Sequence, residues 1–282
     1  MNKNKIIIGT TQFGLPYGIS NTKGITNKSS INKILNLSRK KKIRNLYTSN
    51  YYGKANKVLG KNNLKKFNII LKFKENDFLK KNIINEIKKS SKVLRMKISV
   101  VIVDKFESIP KEKAKKIYKH LQDLKRKKLI NKFGFSIYSF KNLKKICTKF
   151  KPDIIQCPYN IIDRRIEKNN YPNFFQKKKI EVHIRSIFLQ GLLLMDFKKI
   201  PKKFYPWKKF FFIWHNWIKK ENITAVNACY SFVSKSKFIS QILIGVNNFS
   251  QFEEIINIKV KKKLRFPKIS SQSENLINPN NW

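Results

Sequence analysis

The sequence predicts an α/β protein, a single-domain (β/α)8 TIM barrel. Short apolar runs typical of strands alternate with amphipathic helical stretches from one end of the chain to the other. Eight such runs in 282 residues suit a closed parallel barrel. The competing fold is a doubly wound open sheet, whose first turn needs glycines at a fixed spacing. The segment between Gly9 and Gly14 lacks that spacing.

The predicted elements follow one another without a break. In chain order, the strands are predicted at residues 6–9, 43–47, 68–71, 99–103, 132–135, 153–157, 181–184 and 242–244. The clearest helices between them are predicted at residues 30–41, 79–95, 111–127 and 140–150. In the third of these helices one face carries apolar side chains and the other carries lysines, which indicates a helix packed on a barrel. The apolar positions are Ala114, Ile117, Leu121 and Leu124.

The alternation also sets the predicted domain limits. No linker or internal repeat interrupts it, so residues 1–260 form the predicted barrel. Residues 261–282 begin with lysines and continue with Ser, Asn and Pro residues. This composition predicts a loosely packed C-terminal tail.

The net charge of +47 raises the question of nucleic-acid binding. Only eight of the 63 basic residues are arginines, the residue best suited to bidentate phosphate recognition. The lysines are spread through every helical segment and do not form one stripe. Asn, Ile, Phe and Tyr, which also have AT-rich codons, are abundant as well. Our hypothesis is that base composition set the lysine content, and we predict no specific nucleic-acid partner.

The cysteines and the N-terminus indicate the compartment. Cys147, Cys157 and Cys229 lie far apart, with neither disulfide nor metal-ligand spacing, so we predict a reducing cytoplasm and no metal site. No apolar run approaches the length of a membrane span. The apolar run that begins at Ile6 is too short for a signal peptide and fits a first strand better.

Tyr52 and Lys72 are the first candidates for chemistry. Each follows a strand-like run, and catalytic residues of such barrels lie at the carboxyl ends of strands. A lysine ammonium beside a tyrosine stabilises the phenolate and so makes the phenol a better proton donor. Taken alone, the two residues also fit ordinary positions at the barrel rim.

Further segments give the sequence its resemblance to the aldo/keto reductase family, and the similarity runs almost from end to end. The first strand and turn, the run from Tyr52 to Gly60 and the last strand with its helix all resemble family elements. Further similar elements are Gly134 with Ser136 in the fifth strand, the run from Pro152 to Asn160 in the sixth, and Arg185-Ser186 followed by Gln190-Gly191 in the seventh. Their order and spacing together support the resemblance.

The resemblance implies a catalytic tetrad of Asp, Tyr, Lys and His, in which the Asp pairs with the Lys and the His orients the substrate carbonyl. Tyr52 and Lys72 match two positions. Tyr47 stands in the Asp position, and Asp104 stands in the His position. Because the third and fourth strands are neighbours, Asp104 could replace the missing carboxylate partner of Lys72. The alternative is a site that has lost its ancestral reaction.

The resemblance also implies a nicotinamide cofactor, NADP(H) with NAD(H) as the alternative. Ser136 and Gln156 would bind the nicotinamide carboxamide, while Arg185 and Ser186 would lie beneath the ring and contact phosphate. The segment from Gly245 to Asn248 would pass near the adenosine phosphate. The arginine common in the following helix is Gln251 here, so the choice of cofactor stays open.

None of the three histidines, His120, His183 and His215, occupies the family's histidine position. His183 is two residues before Arg185 and should point into the barrel, where a hydrogen-bonded structural role is the favoured interpretation. His215 lies in the aromatic stretch 210–217, for which helix packing is favoured over a substrate or membrane surface.

The resemblance implies an NAD(P)H-dependent oxidoreductase that reduces an aldehyde or ketone to an alcohol, with a small carbonyl compound as its substrate. The alternative is a catalytically inactive barrel that binds a nucleotide or a protein partner.

Overall fold

The computed structural model describes residues 3–80, 82–261 and 263–282. Met1 and Asn2 of the predicted barrel, Lys81 of the second predicted helix and Lys262 of the predicted tail lie outside the described residues. Eight parallel strands close in sequence order, and the last pairs with the first, which confirms the (β/α)8 barrel. They are β1 Ile6–Gly9, β2 Asn45–Ser49, β3 Asn68–Phe73, β4 Ile98–Asp104, β5 Lys132–Ser136, β6 Ile154–Pro158, β7 Glu181–Arg185 and β8 Gln241–Gly245.

The helices of the described chain surround this barrel. They are α1 Lys28–Lys40, α2 Ala55–Gly60, α3 Glu75–Leu79, α4 Ile83–Leu94, α5 Lys111–Arg126, α6 Leu143–Phe150, α7 Tyr171–Lys177, α8 Lys208–Lys220, α9 Ala225–Ser234, α10 Phe249–Ile256 and α11 Glu274–Ile277. The large core lies between helices and sheet, and the apolar stripe predicted for α5 is buried in it. No helix in the described ranges combines the length and the apolar character needed to cross a bilayer.

A second, smaller cluster fills the barrel interior. Its members are the buried side chains Ile7, Tyr47, Ile70, Val100, Ile102 and Ile154. They come from strands whose side chains alternate between the interior and the helix layer, because successive residues of a strand point to opposite faces. Tyr47 is the one member with a polar group, and its hydroxyl lies between the packed interior and the mouth of the barrel.

The strand β2 begins and ends two residues later than predicted. Its last two residues are polar, yet both are buried and paired inside the protein. Thr48 donates a hydrogen bond to Asn56 Oδ1, and Ser49 donates one to the Lys72 carbonyl. The prediction ended the strand at the last apolar residue. In the sequence, a small polar side chain that is hydrogen-bonded inside the protein cannot be distinguished from one in a loop.

The helix predicted at residues 79–95 is α4, which begins only at Ile83; Leu79 ends the separate short helix α3, and a break lies between the two. Asn82 causes the break, because its side chain accepts hydrogen bonds from the backbone N–H groups of Ile84 and Asn85 and so caps a new helix. The remaining predicted helices agree with the observed ones to within three residues at each end.

The C-terminal segment packs more tightly than predicted. Ile269, Leu276 and Ile277 belong to the large buried core, and the Ser271 N–H donates to the Ile162 carbonyl. The ring of Trp282 lies 4.9 Å from that of Phe204. The expectation of a loosely packed tail is therefore wrong for these residues, whose apolar side chains are too widely spaced to form a recognisable pattern.

Candidate active site

One cavity of about 600 Å³ opens at the carboxyl ends of the strands. This is the end at which barrels of this class carry out chemistry. Nine of the ten candidate residues line it, namely Tyr47, Tyr52, Lys72, Asp104, Ser136, Gln156, Arg185, Ser186 and Gly245. The tenth, Asn248, instead caps α10, where its side chain accepts a hydrogen bond from the Gln251 N–H. The structure therefore brings almost the whole predicted set together.

Lys72 and Asp104 form an ion pair in this cavity. The Lys72 Nζ lies 3.1 Å from Asp104 Oδ2, and the two side chains are only 15% and 11% exposed. The strand register explains the contact: Lys72 is paired with Ile102, and Asp104 lies two residues farther along β4 on the same face. The same Nζ lies 5.5 Å from the centre of the Tyr52 ring. The expected carboxylate partner of Lys72 is thus present.

The surroundings of Lys72 keep it charged. Burial alone would lower the pKa of its ammonium group, but the neighbouring Tyr52 and Asp104 outweigh burial and raise that pKa above the ordinary 10.5. Lys72 therefore carries its positive charge throughout the neutral range. Together, Tyr52, Lys72 and Asp104 contain a phenol, an ammonium and a carboxylate, three of the four groups in the tetrad that the resemblance implies.

Tyr47 occupies the interior position that the resemblance assigns to an aspartate. Its side chain is 2% exposed and packs in the barrel-interior cluster, while its hydroxyl donates a 2.9 Å hydrogen bond to Gln156 Oε1. Burial, followed by the effects of Tyr52 and Asp104, raises the pKa of Tyr47 well above 10. Tyr47 consequently stays a neutral phenol whose proton is already committed to Gln156, and it cannot serve as the charged partner of Lys72.

Unpaired polar atoms concentrate around the cavity. In the described ranges, ten buried side-chain nitrogen or oxygen atoms lack a hydrogen-bond partner, and five of them belong to cavity-lining residues. These are Gln12 Oε1, Asp104 Oδ1, Gln156 Nε2, Arg185 Nε and Asn247 Oδ1. Buried polar groups are normally satisfied, so these five donors and acceptors are available to a polar ligand or to water in the cavity. A nicotinamide carboxamide, which has one of each, fits Gln156 Nε2.

Gly245 keeps the wall of the cavity open at the end of β8. A Cβ atom at this position would lie 2.7 Å from Gln12 Oε1 and 2.8 Å from Gln12 Nε2. Any larger residue would therefore displace the Gln12 amide, one of the groups left without a partner. Because these atoms are the far end of a flexible side chain, Gln12 can move aside, and what a side chain at position 245 would take up is space in the cavity.

Arg185 is held across the cavity mouth. Its guanidinium stacks on the ring of Tyr138 at 3.9 Å and donates hydrogen bonds to the Ile137 carbonyl at 3.0 Å and Ser186 Oγ at 3.2 Å. The sequence analysis did not select Tyr138. The signal was available, because Tyr138 follows Ser136 by two residues, the spacing that returns a side chain to the same side of an extended chain.

The histidines lie outside the cavity lining. His183 is buried in β7, and its Nε2 lies 3.1 Å from Glu181 Oε2, near the amino ends of the strands. Burial lowers the pKa of His183, whereas its hydrogen bond to Glu181, followed by that from Lys132, lowers the pKa of Glu181 to about 2. His183 is thus buried and hydrogen-bonded, as expected, and its structural role stays a prediction. His215 lies in α8, which packs through Phe211 and Trp214.

Comparisons with known proteins agree with the barrel fold. The sequence model for the aldo/keto reductase family matches residues 5–270. No curated protein matches the sequence significantly. A solved structure of a protein assigned as an aldo-keto reductase from Pseudomonas aeruginosa superposes with a TM-score of 0.64 and 15% identity, covering 91% of this chain and 89% of that one. A second from the same organism gives 0.62 and 16%, covering 90% and 87%.

Proposed function

The chain belongs to the aldo/keto reductase family, and from that premise we propose that it is an NAD(P)H-dependent oxidoreductase that reduces an aldehyde or ketone to an alcohol. The observation that carries the proposal is the Lys72–Asp104 ion pair beside Tyr52, inside a cavity of about 600 Å³. This arrangement supplies the carboxylate partner of the lysine from β4, although β2 no longer provides one. The family's charge pattern of one ammonium and one carboxylate next to the tyrosine is kept.

The cofactor would be held by the residues along β5, β6, β7 and β8. Gln156 offers its unpaired Nε2 to the carboxamide oxygen, and the Ser136 hydroxyl lies at the end of the adjacent strand. Ser186 and the segment from Gly245 to Asn247 border the remaining wall, and the next residue, Asn248, caps the start of α10. When bound, the reduced nicotinamide supplies the hydride that reduces the carbonyl carbon.

Tyr52 supplies the proton in this proposal. Its phenol protonates the carbonyl oxygen as that oxygen gains charge, so the substrate becomes an alcohol and Tyr52 becomes a phenolate. The Lys72 ammonium stabilises this phenolate. Asp104 holds Lys72 in place, and its own negative charge is neutralised by the pairing, which limits the repulsion that a free carboxylate would exert on the oxygen. Positioned proton donors of this kind contribute about 10²- to 10⁴-fold in rate.

Replacing Tyr52 tests the assignment, and the chain offers its own control next to it. We expect Tyr52→Phe to lower kcat for a reactive aldehyde by at least about 100-fold while leaving cofactor binding intact. Tyr51→Phe removes a hydroxyl that donates to Asp77 Oδ1 and does not line the cavity, so it should have little effect on kcat. Oxidation of NADPH and NADH is followed by absorbance, and cofactor binding is followed by tryptophan fluorescence.

Equal loss in Tyr51→Phe and Tyr52→Phe would contradict the assignment. Saturable cofactor binding with no turnover on any aldehyde would instead support the alternative of an inactive nucleotide-binding barrel. The comparison of NADPH with NADH also decides which nucleotide the site prefers.

A cytoplasmic location is part of the proposal, supported by three buried cysteines that form no disulfide among themselves.

A further inference from the structure

The cavity carries an excess of positive charge. Its lining includes the four basic side chains Lys72, Lys74, Lys105 and Arg185 but only the two acidic ones Asp104 and Glu254. Lys72 and Asp104 neutralise each other, and Glu254 belongs to α10 beside β8. Among the lining residues on the β4–β5 side of the mouth, positive charge therefore exceeds negative charge; the carboxylate of Glu107 lies behind Tyr138 and accepts hydrogen bonds from the Tyr138 and Ser139 N–H groups. The high lysine content of the chain does not explain this excess of positive charge, because the cation at its centre is Arg185.

Arg185 is the centre of this excess of positive charge. In the part of the chain that the structure describes, it forms no ion pair with a carboxylate. A guanidinium has five N–H donors, and only two hydrogen bonds to neutral oxygens are present. The Nε donor is buried and has no partner. Burial would lower the pKa of Arg185, but the surrounding Tyr138 and Tyr17 raise it overall, so the charge persists at every relevant pH.

The side chain of Arg185 points away from the β8 wall, where the adenosine phosphate is expected, and toward the end of β5, where the nicotinamide and the reacting carbonyl are expected. Arg185 ends β7, yet its guanidinium reaches past β6 to the Ile137 carbonyl, immediately after β5. It thus turns away from Gly245 and β8 and toward the strands that carry Asp104 and Ser136. Lys105, which directly follows Asp104, places its Nζ 5.5 Å from the centre of the same Tyr138 ring. Arg185 and Lys105 therefore both lie near the Tyr138 ring, on the β4–β5 side of the cavity.

We propose that the natural substrate is an anionic carbonyl compound whose carboxylate or phosphate group binds Arg185, with Lys105 assisting at the rim. This inference rests on the proposed reductase function and names the class of its substrate. The Tyr138 ring and the Ile137 carbonyl hold the guanidinium in place before the ligand arrives, which lowers the entropy cost of binding. Arginine is the residue best suited to carboxylate and phosphate because its planar donors match both groups.

Matched pairs of aldehydes test the inference through turnover. Succinic semialdehyde is compared with butanal, and glyceraldehyde 3-phosphate with glyceraldehyde, so that each pair differs in its anionic group. We expect kcat/KM to favour at least one anionic member by about 10- to 100-fold, the usual effect of a hydrogen bond to a charged group. The pair with the larger ratio identifies carboxylate or phosphate as the recognised group. Ratios near one in both pairs would overturn the inference.

Variants assign the preference to Arg185. We expect Arg185→Met to reduce the larger ratio by about 10-fold or more and Arg185→Lys, which keeps the charge but not the planar donors, to give an intermediate ratio. Arg126→Met removes an arginine exposed on α5 and should leave the ratio unchanged. An undiminished ratio in both Arg185 variants would overturn the assignment.

A binding measurement keeps the test independent of turnover. Calorimetric titration with succinate, at about 0.15 M salt to screen the general positive charge, is compared with titration by uncharged 1,4-butanediol. We expect saturable succinate binding in the wild type and in Arg126→Met, and its loss in Arg185→Met. Succinate binding without aldehyde reduction would contradict the proposed function and still support the anion site. Equal succinate binding by all three proteins would contradict the anion site itself.

Discussion

Asp104→Asn should destabilise the protein, because it removes the charge partner of a largely buried ammonium. At 3.1 Å and an effective dielectric constant near 20, the gross attraction of the Lys72–Asp104 pair is about 5 kcal/mol. Removing one member of a buried pair typically costs about 3–5 kcal/mol. The pair keeps slight solvent contact, and the asparagine retains an oxygen that accepts from Lys72 Nζ. We therefore expect the free energy of unfolding to fall by about 2–3 kcal/mol.

A matched surface pair provides the control. Asp123 pairs with Arg126 at 2.8 Å, but its side chain is 36% exposed and that of Arg126 is 76% exposed. Asp123→Asn should therefore cost less than about 1 kcal/mol. Urea unfolding at pH 7, with an unchanged dependence on denaturant, measures both values. Equal destabilisation by Asp104→Asn and Asp123→Asn would refute the argument that burial makes the Lys72 partner essential.

Other predictions concern packing, pH and charge. Gly134→Ala should destabilise the barrel by about 1–3 kcal/mol in the same unfolding assay, because the added Cβ would lie 2.5 Å from the Ile154 carbonyl oxygen. The lowered pKa of Glu181 contributes stability above about pH 4.5 that is lost as pH falls toward about 2, so Glu181→Gln should flatten the stability curve in that window. DNA binding should be independent of sequence and abolished by about 0.2 M salt in a filter or gel assay; selective binding that persists would overturn our interpretation of the lysines.

The sequence predicts the barrel well because its signal is repeated. Every strand carries its own apolar run and nearly every helix its own stripe, so an error in one element, such as the end of β2, does not change the fold. The break before Asn82 was missed because its cap depends on local backbone geometry. The burial of the C-terminal segment was missed because apolar residues such as Ile269 are isolated in the sequence. Such a residue can be assigned to the core only when the surface against which it packs is known.

The site was predictable where the strand order alone determines it. Lys72 and Asp104 could be expected to meet because both end neighbouring parallel strands. The orientation of Arg185 was not predictable, because its place at the end of β7 does not say to which neighbouring strand its long side chain turns. The contacts that decide between them, the Tyr138 ring and the Ile137 carbonyl, come from a loop whose path is not set by apolar periodicity.

The rate of cofactor oxidation in three proteins tests the central claim most directly. They are the wild type, Asp104→Asn and the double variant Tyr47→Asp/Asp104→His, which restores the family pattern. Each is assayed with NADPH and NADH and a reactive aldehyde. If Asp104 has replaced the missing carboxylate, the wild type turns over and Asp104→Asn loses at least about 10-fold in kcat/KM. Turnover by the double variant alone, or by none of the three despite cofactor binding, would contradict the claim that this chain works as a reductase with its carboxylate on the fourth strand.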